Sequence, residues 1–67
     1  MELSARNSLR GTIKSVRVEG VMAEVVVDVG GQEVVSTITA NSAQRLALKQ
    51  GDQVYAVIKA SEVMIGK

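Results

Sequence analysis

The chain has 67 residues, no Cys and no His, a net charge of +1, and 46% apolar side chains, 12 of them valine. This length fits one domain, residues 1–67. The missing residue types exclude disulfides, the usual zinc sites and catalysis built on imidazole or thiolate. A nearly neutral balance with mixed signs gives no strong field to steer nucleic acid or an anionic membrane.

Ordering a chain this short costs on the order of 100 kcal/mol, at ~1.5 kcal/mol per residue, and its own core barely offsets that. With disulfides and metal excluded, self-association is the stabiliser left, so an oligomer is expected. Seven carboxylates and four lysines remain, but no pair forms a recognisable acid–base signature, and an enzyme is not expected. No apolar run approaches a membrane span. Glu2 stands where a secretory leader carries basic charge, so the expected location is the cytoplasm.

Nineteen β-branched residues (12 Val, 4 Ile and 3 Thr) favour strands over helices. The first strand region runs from Glu2 to Val18, with a break expected near Gly11. Its alternation slips between Ile13 and Val16, which predicts a bulge around Lys14-Ser15. Val21 to Val29 alternates cleanly, with Val21, Ala23, Val25, Val27 and Val29 on one face. Gly30-Gly31 reads as a two-residue hairpin turn, and Gln32 to Thr39 returns with Val34, Ser36 and Ile38 on one side.

Asn41 with Gln44 three residues on fits a capping box, and Thr39 with Ser42 is a rival cap. A short helix from Ser42 to Leu48 then turns Ala43, Leu46 and Ala47 towards the core. After Gly51-Asp52, a strand from Gln53 to Ala60 sets Val54, Ala56 and Ile58 against Tyr55 and Val57, and Glu62 to Ile65 makes a last short strand. The expected fold is all-β with one short helix: a single-domain, five-stranded OB-type barrel with its N-terminal strand extended for subunit contacts.

Donor groups cluster in three places: Ser4-Ala5-Arg6-Asn7, Thr39-Ala40-Asn41-Ser42 and Lys59-Ala60-Ser61. Each supplies hydroxyls, cationic groups or free backbone N–H groups, which is what an oxyanion requires. Each also has an ordinary reading as a solvated strand edge, a helix cap or a surface charge. The Gly20-Val21 turn reads first as a plain hairpin turn. Arg10, Lys14 and Arg17 could line up as a phosphate stripe, but Glu19 and Glu24 interrupt it. Tyr55 is the only aromatic residue, so the stacking platforms of a single-strand binder are missing.

Taken together, Ser4-Ala5-Arg6-Asn7 with Gly11 four residues on, Ile38-Thr39-Ala40-Asn41-Ser42 and Val57-Ile58-Lys59-Ala60-Ser61 resemble the molbindin family. These are small molybdate-binding proteins made of one molybdenum-binding OB domain, also called a Mop or TOBE domain. With no second copy and no DNA-binding or ATPase segment in view, the chain resembles the stand-alone storage form. The resemblance implies a homohexamer, arranged as a trimer of dimers, with oxyanions bound between subunits. Carried over by motif, Ser4, Ala5 and Arg6 of one subunit face Thr39, Ser42, Lys59, Ala60 and Ser61 of another. A second kind of site, near the threefold axis, uses main-chain groups of Glu19, Gly20 and Val21.

The implied ligand is molybdate or tungstate, with no cofactor and no side chain ligating the metal. The implied role is reversible intracellular storage, without nucleic acid or membrane as partner. Two readings compete with it: a nucleic-acid-binding OB module and a purely structural oligomerisation domain.

Overall fold

The computed structural model describes residues 3–67. Its elements are β1 (Asn7–Glu19), β2 (Met22–Val29), β3 (Gln32–Thr39), α1 (Ala40–Arg45) and β4 (Gln53–Ile58), followed by a 3-10 turn at Ala60–Glu62. The strands form one antiparallel sheet in the order β3-β2-β1-β4, curled into a half-barrel. Gly30 and Gly31 both take positive φ in the β2–β3 turn, as a tight two-residue hairpin requires, and Gly31 N–H is held by Asp28 Oδ1 at 3.1 Å.

β1 is long because it serves two partners. Asn7 to Thr12 pairs with β4, and Thr12 to Glu19 pairs with β2. The expected bulge lies where the partner changes: pairing jumps from Ile13↔Val27 to Ser15↔Val26, leaving Lys14 as the extra residue. Lys14 turns outward to a salt bridge with Glu33 on β3, and this hydrogen-bonded carboxylate raises the lysine pKa. Both groups are exposed, so the pair adds little to stability.

Ile13, beside the bulge, is the largest fully buried side chain. Its backbone continues the β4 ladder into the preceding turn: Ile13 N–H donates to Asp52 O at 2.9 Å, and Gly51 N–H donates to Ile13 O at 2.8 Å. The strand does not break at Gly11. Glycine is needed there for space, because a Cβ would lie 2.6 Å from Asp28 O and 2.7 Å from Val27 Cγ1. The expected start of the strand at Glu2 lies outside the described residues, and pairing begins only at Asn7.

The helix starts earlier than expected and is shorter. Thr39, not Asn41, is the cap, and its Oγ1 accepts the Ser42 N–H at 3.0 Å. The helix ends at Arg45 in a Schellman motif: Leu48 N–H donates to Ala43 O at 3.1 Å and Ala47 N–H to Gln44 O at 3.0 Å. This requires Ala47 at φ +50°. Ending there leaves Leu46 and Ala47 exposed rather than core-facing, while Ala43 is buried and Leu48 packs on the core.

The fifth strand of the expected barrel is absent from the described chain. β4 ends at Ile58 instead of Ala60, and Glu62 to Ile65 pairs with no strand. A turn intervenes, with Glu62 N–H on Lys59 O at 2.8 Å and Val63 N–H on Ala60 O at 3.4 Å. The core is correspondingly small. Ile13, Val25 and Val27 form its centre, with Val16, Val29, Ile38, Leu48 and Val54 packed around them.

Two substitutions test these backbone constraints by urea denaturation, read as midpoint shifts at constant slope. Gly11→Ala is expected to destabilise by about 1–3 kcal/mol, because the clash is partly with a backbone oxygen that cannot rotate away. Ala47→Gly is expected to stabilise. A left-handed alanine costs roughly 1–2 kcal/mol, and the extra freedom of glycine in the unfolded chain returns only ~0.5–1 kcal/mol of that.

Candidate oxyanion site

The β1–β4 ladder decides which of the candidate donors meet. Its last pair is Asn7↔Ile58, so Ser4-Ala5-Arg6 enters β1 beside the point where Lys59-Ala60-Ser61 leaves β4. Lys59 is the N-cap of the 3-10 turn but makes no side-chain cap bond, so its ammonium stays available. The N–H groups of Ala60 and Ser61 open that turn and have no turn acceptor behind them.

Ser4, Arg6, Lys59, Ala60 and Ser61 are exposed, and Ala5 is half-buried. The three ion pairs among the described residues are Lys14–Glu33, Arg17–Glu19 and Lys49–Asp52, none of which involves Arg6 or Lys59. Glu62 is the acidic residue nearest this cluster in sequence.

The Thr39–Ser42 cluster stands elsewhere. Thr39 closes β3 opposite Met22, which itself pairs with Glu19, so it sits at the far end of the 13-residue β1 from Arg6. Thr39 Oγ1 also donates to Ser42 Oγ at 2.8 Å. Two hydroxyls that share one proton internally keep one outward O–H between them.

The structure joins this cluster to the Glu19-Gly20-Val21 turn, because Ala40 N–H donates to Val21 O at 2.8 Å. Gly20 takes φ +58°, and Val21 is among the most exposed apolar residues. Glu19 faces Arg17 at 3.8 Å, so its carboxylate is already directed at a cation. One donor missed from sequence is the Asn41 backbone N–H. With Ala40 N–H on Val21 O and Ser42 N–H on Thr39 Oγ1, it is the first-turn N–H without a partner among the described residues. Recognising Thr39 as the cap would have located it.

One chain therefore carries two donor clusters at opposite ends of β1. Among the described residues no group of three or more His, Cys, Asp or Glu side chains converges. Both clusters can hold an acceptor-only anion, through charge-assisted bonds at one and neutral O–H and N–H groups at the other.

A TOBE domain model matches residues 3–65. Molybdenum-pterin-binding protein 3 of Clostridium pasteurianum is 44% identical over 66 residues, covering 97% of each chain. Among solved structures, a molybdate-binding protein from Sporomusa ovata superposes with a TM-score of 0.95 at 42% identity over the full length of both chains. The cytoplasmic molybdate-binding protein ModG, in a crystal form with molybdate bound, gives a TM-score of 0.90 at 45% identity. That match covers 96% of this chain and 46% of ModG.

Proposed function

The chain belongs to the TOBE-domain family and, within it, to the molbindins, which are binding rather than catalytic proteins; on that premise we propose that it binds molybdate reversibly and stores it in the cytoplasm. The observation that carries the proposal is the end of the β1–β4 ladder, where Ser4-Ala5-Arg6 enters β1 next to the point at which Lys59-Ala60-Ser61 leaves β4, with two cationic side chains outside any described ion pair.

Molybdate is a tetrahedral dianion that only accepts hydrogen bonds. Ser4 and Ser61 offer O–H, Ala5 and Ala60 offer N–H, and Arg6 and Lys59 add charge. Thr39 and Ser42 lie at the other end of β1 in the same chain. They join the site from a neighbouring copy, which makes a homo-oligomer part of the proposal, in the form of a hexamer built as a trimer of dimers. Twelve large apolar side chains left exposed among the described residues support that assembly.

The Glu19-Gly20-Val21 turn is proposed as a second, weaker oxyanion site through its main-chain groups. Tungstate has the same charge and shape and is the expected alternative cargo. Sulfate has shorter bonds to oxygen and fits a pocket cut to molybdate less well, since charge alone cannot separate the three dianions. A purely structural oligomer is the reading those exposed apolar residues would support by themselves, and it differs by being indifferent to oxyanions.

Calorimetric titration with molybdate in phosphate-free buffer, with sulfate as control, tests the proposal. Saturable heat is expected with molybdate and none with sulfate. Arg6→Ala and Lys59→Ala are each expected to weaken binding by ~1.5–3 kcal/mol, the value of a hydrogen bond to a charged group. Unchanged affinity in both variants would overturn the site. No binding by either calorimetry or equilibrium dialysis would leave the structural oligomer.

A further inference from the structure

The near-neutral total of the chain hides a segregation of charge between the two halves of its sheet. Strands β2 and β3 carry Glu24, Asp28 and Glu33 and no cation. The β1–β4 ladder, from Asn7↔Ile58 to Thr12↔Gln53, carries Arg10 and no carboxylate, with Arg6 and Lys59 just beyond its end. None of these three cations has an ion pair among the described residues. The carboxylates nearest to them in sequence are Asp52, whose Oδ1 is 3.4 Å from Lys49 Nζ, and Glu62 in the 3-10 turn.

Gly11 and Ile13 are buried, so alternation sends Arg10 and Thr12 to the outer face, where Thr12 Oγ1 accepts from Gln53 Nε2 at 2.8 Å. Arg10 is exposed and stands directly opposite Tyr55, itself 57% exposed. Cross-strand neighbours on one face lie close enough for a guanidinium to reach a ring. Arg and Tyr are also the residue types enriched at the energetic centres of protein docking sites.

Arg10 and Arg6 are about 13 Å apart along an extended strand, at ~3.3 Å per residue, too far for one small anion to bridge. A long polyanion also meets the carboxylates of β2 and β3, and a single-stranded nucleic acid finds one stacking platform, Tyr55. A short acidic stretch of polypeptide meets neither obstacle. We infer that this face docks a short acidic segment of a partner protein, with one carboxylate on Arg10 and another on Arg6 or Lys59. Because it rests on the oxyanion reading of Arg6 and Lys59, the inference also names the partner's role. Its carboxylate takes the cations that hold the dianion, so docking and cargo compete.

Fluorescence anisotropy of labelled hexaglutamate in low-salt, phosphate-free buffer tests the docking, with labelled hexathymidylate as the rival probe. Saturable binding of hexaglutamate is expected, weakened about fourfold by Arg10→Gln, the scale of one exposed ion pair. Arg17→Gln removes the same charge from the other half of β1 and is expected to leave binding unchanged. Should Arg10→Gln fail to fold, Tyr55→Ala is the second variant, expected to weaken binding several-fold. No saturable binding overturns the docking surface, and so does equal weakening in the Arg10 and Arg17 variants. Tighter binding of hexathymidylate overturns it in favour of a nucleic-acid face. Added molybdate is expected to displace the peptide, and molybdate that binds without displacing it overturns the competition. Peptide binding by a chain that takes up no molybdate overturns the oxyanion reading alone, whereas molybdate binding without peptide binding overturns the docking surface alone.

Discussion

The partner change in β1 is the constraint on which the rest of the structure depends. One strand serves β4 along its first half and β2 along its second, and a single strand cannot do this while flat. It must coil sharply where the partners meet. Gly11 removes the side chain that would strike the Asp28 carbonyl, and Lys14 supplies the extra residue that lets the ladder resume one step out of phase. Ile13 sits between them with its side chain in the core and its backbone tied to Gly51 and Asp52. A bulge accentuates twist, and here that twist wraps the sheet around Ile13, Val25 and Val27.

The same strand separates the chemistry. Its first residue, opposite Ile58, gathers the Arg6 and Lys59 segments, and its last, through Met22, aligns with Thr39. A continuous 13-residue strand keeps those groups apart within one chain. Whatever uses both sets of donors at one point must draw them from two chains. The small core supports the proposed self-association by another route, since Leu3, Val35, Tyr55, Met64 and Ile65 are all left more than half exposed.

Much of this was legible in the residues. Alternation in Val21 to Val29 gave Ala23, Val25 and Val27 as the buried residues of β2, though Val21, expected on the same face, lies exposed in the turn before it. The slip between Ile13 and Val16 gave the bulge to within a residue. Gly30-Gly31 gave the hairpin. The misreadings occurred where competing local signals had similar strength. Asn41 and Thr39 are both good caps, and Thr39 prevails because β3 delivers its backbone extended at φ −72°, ψ 148°. Gly11 looked like a break because the pattern marks a glycine but not whether it serves a turn or a close approach. Glu62 to Ile65 has the apolar content of a strand, yet a strand needs a neighbour, and none is present among the described residues. The donor clusters could be found by composition. Which of them meet depends on ladder register, which composition does not carry.

The proposed placement of donors on two chains would also link cargo to assembly. An anion held by groups from both sides stabilises only the assembled state, so its binding free energy adds to association by mass action. In the proposed site the two sets divide the work. Arg6 and Lys59 bring charge, which attracts any dianion and discriminates little. Thr39 and Ser42 bring a hydroxyl pair whose oxygens are held by the helix cap, leaving one O–H free to donate. A fixed neutral donor favours an anion whose oxygen reaches it, so it responds to bond length where charge does not. On the proposed reading, selectivity among dianions depends on how accurately two copies dock, and that accuracy traces back to the coil of β1.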